Sequence, residues 1–344
     1  MSTPALRVAL YSLDAPTFPC ARLRILDPAA ALAGAVDLRS GVALRDNSIA
    51  LDLDLLDWCE VVVLQRGFPG RNAHQAGVID RMRRSGKPIV YETDDDFASI
   101  PDWHGKEEHR ENAEWIRRLL PDVALVTVST DVLRARFAKD HPRVEVLPNC
   151  VNEALWPVHA PVETGLRDPH LLYAGNRGHW QDLATLEQVL RDALERHPEL
   201  TVTVAGVDQT ALAGHPRVRM LPFNGNYHLY PARLAALAIS FAVVPLRDHP
   251  FNDAISPVKF LEFAALGIPG IFQDMAPYRI VEDERTGLKA ARDAAGWSRA
   301  IDRLVEDDAL RQRLAENANR VAREEHLLSG HAHRWLDAWR SVLR

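Results

Sequence analysis

The chain has 344 residues, 47% apolar and 26% charged, the balance of an ordinary soluble globular protein. At about 150 residues per domain this length accommodates two domains, each able to bury its own core. With 41 Lys and Arg against 47 Asp and Glu the net charge is −6, which excludes a general electrostatic attraction to nucleic acid or to an anionic membrane.

Cys20, Cys59 and Cys150 lie far apart, without the pairing of a disulfide framework or the spacing of metal ligands, and fit a reducing compartment. Met1 to Leu10 alternates apolar residues with Arg7 and lacks the apolar stretch of a secretory signal. The longest apolar run, Leu234 to Leu246, contains Ser240 and Pro245 and falls short of the roughly 20 residues of a spanning helix. The expectation is a cytoplasmic protein that meets a membrane, at the inner face of the cell membrane, only peripherally.

Short apolar runs alternate with amphipathic stretches along the chain. The first half reads as strands at Leu6–Tyr11, Val61–Gln65, Pro88–Glu92, Val123–Val128 and Val144–Leu147. Helical patterns at Ala21–Ala33, Asn72–Ser85, Glu107–Leu120 and Thr130–Lys139 separate them. Trp156–Pro169, with three prolines and Gly165, reads as a linker. The alternation then restarts with strand His170–Ala174, helix Leu183–Arg196, strands Thr201–Ala205 and Arg217–Leu221, and helix Pro231–Ala238. Strand Phe241–Pro245, helix Pro257–Leu266, strand Gly270–Phe272 and two terminal helices follow.

Strands separated by helix-length segments imply right-handed crossovers and parallel sheets. The fold class is therefore α/β, with two Rossmann-like doubly wound domains facing each other across a cleft, at residues 1–160 and 161–327. In such sheets ligands sit at the carboxyl ends of the strands. Residues 328–344 place Trp335, Leu336 and Trp339 at helical spacing and read as a helix packing back on the first domain.

The segment Phe251–Pro269, FNDAISPVKFLEFAALGIP, is the richest in chemistry. Ser256 followed by Pro257 reads as an N-cap and a first helical position. Free N–H groups and the positive end of the dipole make such a helix start an anion site, to which Lys259 adds a full charge. Glu262 shares its face among apolar neighbours and needs a partner. That partner is either Lys259, in an intrahelical pair worth about 0.2–0.5 kcal/mol, or a ligand whose phosphate and hydroxyls satisfy the two residues separately.

SPVKFLEFAALGIPGI resembles the donor-site helix of retaining GT-B glycosyltransferases of the broad glycosyltransferase family 4 clan, in the bacterial branch with an S-P-x-K-x-x-E pattern. KPIVYETDDDF (Lys87–Phe97), VSTDVLRARF (Val128–Phe137), VLPNCVN (Val146–Asn152), LLYAGNRGHWQDL (Leu171–Leu183) and ERTGL (Glu284–Leu288) are similar to other motifs of that branch, in order. The resemblance covers about Pro88 to Val321 and is thin before it, resting on ARLRILDPAAAL and VVVLQR.

The resemblance implies a GT-B fold whose first domain holds a hydroxyl acceptor (a glycan, lipid-linked glycan, protein or metabolite) and whose second grips a UDP, GDP or dTDP sugar. Transfer would retain anomeric configuration and require no cofactor or metal. Lys259 would neutralise the donor diphosphate, with Arg177 as a second cation, and Glu262 would bond the ribose hydroxyls. The turn Gly175–His179, including Asn176, would bring backbone amides to phosphate or sugar, and Phe223 would touch the base. Asp182 reads as a carboxylate at a helix start. The family's E-x7-E pattern is broken, because Ala254 stands eight residues before Glu262. Asn252 or Asp253 would then recognise the sugar.

Asp94, Asp95 and Asp96 follow a strand and repel one another, so cations must balance them. Arg66, Arg22 and Arg24 are the candidates. One reading makes the three carboxylates a cap and ion pairs of the first domain. A second puts Asp95 at the reacting atoms, with Arg66, Asp94, Asp96 and His104 on the acceptor side. A third reads Asp94-x-Asp96 as a metal-binding pair of a GT-A transferase. A GT-B-fold epimerase or phosphorylase would share the scaffold. No metal-binding histidine motif, dinucleotide fingerprint, Walker lysine or nucleophile elbow is present.

Overall fold

The structure is a computed structural model that describes residues 4–45, 48–68, 75–104, 107–160 and 168–343, without the side chains of 44, 45, 48, 75, 76, 104 and 107–111. The first residues of the expected helix Asn72–Ser85, and most of the linker with the boundary at 160/161, lie outside the described residues.

The amino-terminal half builds β1 (Leu6–Ser12), β2 (Val36–Ser40), a small antiparallel hairpin of β3 (Val42–Arg45) and β4 (Ser48–Leu51), then β5 (Val61–Gln65), β6 (Ile89–Thr93), β7 (Leu125–Val128) and β8 (Val144–Val146). All but the hairpin form one parallel sheet in the order β2-β1-β5-β6-β7-β8. The carboxy-terminal half builds β9 (His170–Ala174), β10 (Thr201–Ala205), β11 (Val218–Leu221), β12 (Phe241–Val244), β13 (Gly270–Gln273) and β14 (Leu288–Ala290). Its sheet is parallel too, ordered β11-β10-β9-β12-β13-β14.

In both sheets the strand order reverses beside the first strand, and loops diverging there open a crevice at the carboxyl ends. The central strands read as unbroken apolar runs because both faces are covered. Alternate residues of β1 show this directly: Ala9 and Tyr11 join one core, while Leu6, Val8 and Leu10 join the core on the opposite face.

The second of those cores contains Trp335, Leu336, Ala338 and Trp339 from the final helix, His333–Ser341. The chain therefore crosses to the second domain near Val151 and returns beside it. Val151 N–H donates to His326 O at 2.8 Å, and Leu328 N–H donates to Val151 O at 2.8 Å. Trp335 then donates its indole N–H to Arg24 O at 2.6 Å. Among the described residues no helix is long and apolar enough to cross a membrane.

Three expected helices differ, the one expected over 328–344 being split into Leu328–His331 and His333–Ser341. Ala21–Ala33 is broken by a π-helical segment, Arg22–Leu26, which turns Arg24 into the interior. Leu183–Arg196 is two helices, Trp180–Ala184 and Glu187–Arg196. The strands β2 and β14, the hairpin and the short helix Pro250–Ala254 are additional to the sequence expectation.

Candidate functional site

A cavity of about 470 Å³ opens between the domains at the carboxyl ends of both sheets. Its carboxy-terminal wall is set by the ends of β9, β10 and β12 and by the helix Val258–Ala265. Gly206, following β10, has φ +85, and a Cβ there would stand 2.0 Å from Gly175 O. Only glycine lets these two strand ends meet and keeps the turn after Gly175 open to a ligand.

The helix Val258–Ala265 begins one residue later than expected, with Pro257 at the N-cap and no side-chain cap. Ser256 lines the cavity, but its Oγ accepts from Asn149 Nδ2 at 2.8 Å instead of capping the helix. That bond joins the segment that follows β8 to the chain just before the helix Val258–Ala265. Lys259 Nζ lies 2.8 Å from Glu262 Oε2 and donates to Tyr230 OH at 2.9 Å. Tyr227 OH donates to Glu262 Oε1 at 3.1 Å. The intrahelical pair is thus formed, and it faces the cavity. Burial works against the Lys259 charge, yet Glu262 and Tyr230 outweigh it and hold the lysine above its ordinary pKa. Each Glu262 oxygen retains a further lone pair for a ligand hydroxyl.

Arg177 is corrected by its surroundings. Its side chain is 84% exposed, pairs with Asp208 at 2.7 Å and does not line the cavity. Gly175, Asn176 and His179 of the same turn do line it, with the Asn176 side chain accepting from Gly178 N–H. Asn252 and Asp253 also lie off the cavity, because Pro250–Ala254 is helical. Asn252 is buried and donates to Asp182 Oδ1 at 3.0 Å and to Arg247 O at 3.0 Å. Phe223 is partly exposed in the cavity, its ring 5.8 Å from that of Phe18 of the first domain.

Asp94 and Asp95 line the amino-terminal wall, and Arg66 behind them carries the balancing charge. It follows β5 with φ +54, its backbone held by Arg66 N–H to Glu92 O at 2.8 Å and Tyr91 OH to Arg66 O at 3.1 Å. From that conformation its guanidinium reaches Asp14 at 3.6 Å, Asp94 at 3.1 Å and Asp95 at 2.7 Å. Burial pushes the Asp95 carboxyl up to about 6 in spite of Arg66. Arg24 and Arg22 serve elsewhere, bound to Glu92 and Asp27.

Asp96 departs from its expected place. It caps the short helix Phe97–Ser99, binds Arg136 and borders a separate cavity of about 370 Å³ with Ile116, Arg117 and Phe137. Asp94 and Asp96 therefore diverge onto different arginines, which does not fit a chelating pair. Among the described residues no group of three or more His, Cys, Asp or Glu side chains is placed to hold a metal. The His104 side chain lies outside the described residues.

Sequence reasoning missed Phe18, Asn149, Tyr227, Tyr230 and Tyr278 in the cavity wall. The proline-flanked Phe18 and the tyrosines before the strand Phe241–Val244 carried no motif, and only tertiary packing brings Tyr227 to Glu262, Tyr230 to Lys259 and Phe18 to Phe223.

A family model described as glycosyl transferase-like matches residues 184–337. Glycogen synthase of Mycobacterium tuberculosis is 30% identical over 215 residues, which are 57% of this chain and 48% of that protein. The chain thus spans about half the length of the curated relatives it matches. Sucrose-phosphate synthase from Thermosynechococcus elongatus superposes with a TM-score of 0.68 at 16% identity, over 98% of this chain and 99% of that one. Anabaena HepE in complex with UDP-glucose gives 0.64 at 13% identity, over 98% and 100%. WaaG, a glycosyltransferase involved in lipopolysaccharide biosynthesis, gives 0.64 at 14% identity, over 96% and 99%. The chain has the GT-B fold, so the single-domain GT-A alternative falls.

Proposed function

We propose that this protein is a glycosyltransferase that moves a sugar from a nucleotide diphosphate to a hydroxyl acceptor, with retention of configuration and without a metal. The observation that carries the reading is the interdomain cavity itself, where the Lys259–Glu262–Tyr230 cluster and an uncapped helix start share a lining with Asp94 and Asp95, which Arg66 binds from behind. The complex of HepE with UDP-glucose supports a nucleotide-sugar donor in the same fold.

In this reading the chemistry asks mainly for electrostatic stabilisation. As the sugar–phosphate bond breaks, negative charge grows on the diphosphate. Lys259 and the first-turn N–H groups of its helix are fixed in place to receive that charge. Glu262 holds the lysine and accepts from ribose hydroxyls, and Phe223 offers its ring to the base. On the facing wall Asp95, with Arg66 beside it, contacts the acceptor hydroxyl or the transferred sugar. The acceptor is a glycan, lipid-linked glycan, protein or small metabolite, used at the cytoplasmic side.

A thermal-shift panel of UDP-, GDP- and dTDP-sugars, followed by donor hydrolysis assays, tests the reading. Stabilisation and hydrolysis by one nucleotide class are expected. No shift with any member refutes donor binding, and epimerised sugar without acceptor turnover refutes transfer.

A further inference from the structure

Once Arg177 leaves the cavity, the turn that follows β9 still presents one ionisable group to it, His179. We infer that His179, positioned by the buried carboxylate of Asp182, is the second group that holds the donor diphosphate, and that it takes up a proton to do so. The inference rests on the donor reading above and adds a proton-linked contact to it.

Asp182 is 1% exposed, and both of its oxygens are engaged. Oδ1 accepts from Arg247 N–H at 2.7 Å and from Asn252 Nδ2 at 3.0 Å. Oδ2 lies 2.7 Å from His179 Nδ1. A carboxylate bound by two N–H donors is kept as an acceptor, so the shared proton sits on Nδ1. The imidazole backbone is pinned as well, because Tyr173 OH donates to His179 O at 2.9 Å. Asn252, expected to read the sugar, has this different task of fixing Asp182.

With Nδ1 committed, Nε2 is the nitrogen left for a ligand. In the neutral ring it carries a lone pair, which repels a phosphate oxygen. Protonated, it donates a charge-assisted hydrogen bond and adds a positive charge. Among the described residues the ring meets Asp182 of the following helix at Nδ1 and, across the cavity, Asp95, whose carboxyl feels the His179 charge; Tyr173 on β9 holds the backbone, and the short helix Asp102–His104, with Asp102, packs against the turn.

The test is calorimetric titration of UDP-, GDP- and dTDP-glucose between about pH 6 and pH 9 in two buffers of different ionisation heat. The phosphodiester oxygens of these probes do not titrate in that range. Wild-type affinity is expected to fall on the alkaline side, with proton uptake approaching one. His179→Gln should bind on the order of 10- to 100-fold more weakly near pH 6, without uptake or pH dependence. In Asp182→Asn the amide donates to Nδ1 and moves the ring proton to Nε2, so binding persists without uptake.

Wild-type affinity and uptake in His179→Gln, or wild-type binding that ignores pH, would overturn the inference while leaving the donor reading in place. Unchanged uptake in Asp182→Asn would overturn the role of Asp182. If Asp182→Asn does not fold, His179→Gln, on a half-exposed turn, decides alone. A wild-type protein that binds none of the three probes refutes the donor reading and this inference with it.

Discussion

Arg24 and Glu92, 68 positions apart, form an ion pair at 2.6 Å with both side chains out of solvent. The same guanidinium donates to Leu147 O and to Asn149 Oδ1, the latter at 2.9 Å, and lies over the Trp335 ring. One buried cation thus joins the first sheet, the chain segment leading to the second domain, and the returning helix. Removing one partner of a buried pair leaves the other charge stranded, at a cost of about 3–5 kcal/mol. Arg24→Met should lose about that much stability in denaturant unfolding, whereas Arg24→Met with Glu92→Gln should recover most of it. A double variant no more stable than Arg24→Met would show that the arginine acts through its other contacts instead.

The pH dependence of stability follows from the same carboxylate. Burial, against the pull of Arg24, pushes Glu92 up to about 7 from an ordinary 4.5, and Asp95 up to about 6 from 3.8. Both groups bind protons more tightly in the folded chain than in the unfolded one. Their contribution is therefore full below about pH 4 and is lost as pH rises through about 6 and then 7. Melting temperatures measured between about pH 5 and pH 8 should fall more steeply for the wild type than for Glu92→Gln. Parallel curves would refute the assignment to Glu92.

The parallel-sheet architecture was legible because covered strands must be largely apolar on both faces, as β5, β9 and β12 are. The elements that escaped lack that signature. The edge strand β2, Val36–Ser40, is half polar, and β14 has three residues. The helix Pro250–Ala254 begins with proline and carries Asn252 and Asp253, residues that read as a turn. Lys259, Glu262, Gly175 and His179, singled out by motif spacing, do line one cavity. Arg177 was misplaced because chain position cannot say that Asp208, 31 residues away, draws it outward. The same limit misassigned Arg24, a candidate to balance Asp94–Asp96 that instead reaches the buried Glu92.

Two glycines with the same backbone separate conformational strain from close approach. Gly206 and Gly214 both have φ +85, but a Cβ at Gly214 meets nothing within 4 Å, whereas one at Gly206 strikes Gly175 O. Gly214→Ala should cost only the left-handed strain, about 1 kcal/mol. Gly206→Ala should cost several-fold more stability and also weaken nucleotide-sugar binding, because the turn after β9 must shift. Thermal melts and titrations on the pair check both effects. Equal costs with unchanged binding would mean that the two strand ends do not shape the donor wall.

Lys259 and Arg177 make opposite predictions from the same expected role. Arg177 is an exposed member of a surface pair, and such pairs contribute about 0–1 kcal/mol. Arg177→Ala should therefore leave stability within about 0.5 kcal/mol of wild type and leave donor hydrolysis unchanged. Lys259 faces the cavity from the first turn of its helix, locked by Glu262 and Tyr230 before any ligand arrives. In the proposed reaction, preorganised charge of this kind would stabilise the leaving diphosphate without reorganising as the bond breaks. Removing one such group costs on the order of 10²–10³ in turnover. Lys259→Ala should show that loss in donor hydrolysis and transfer rates while remaining folded by circular dichroism. Because truncation also strands Glu262 beside Tyr227, Lys259→Ala with Glu262→Gln should regain stability but no activity. A Lys259→Ala protein with wild-type turnover would remove the diphosphate from this end of the cavity, and an inactive Arg177→Ala would restore Arg177 as a donor contact.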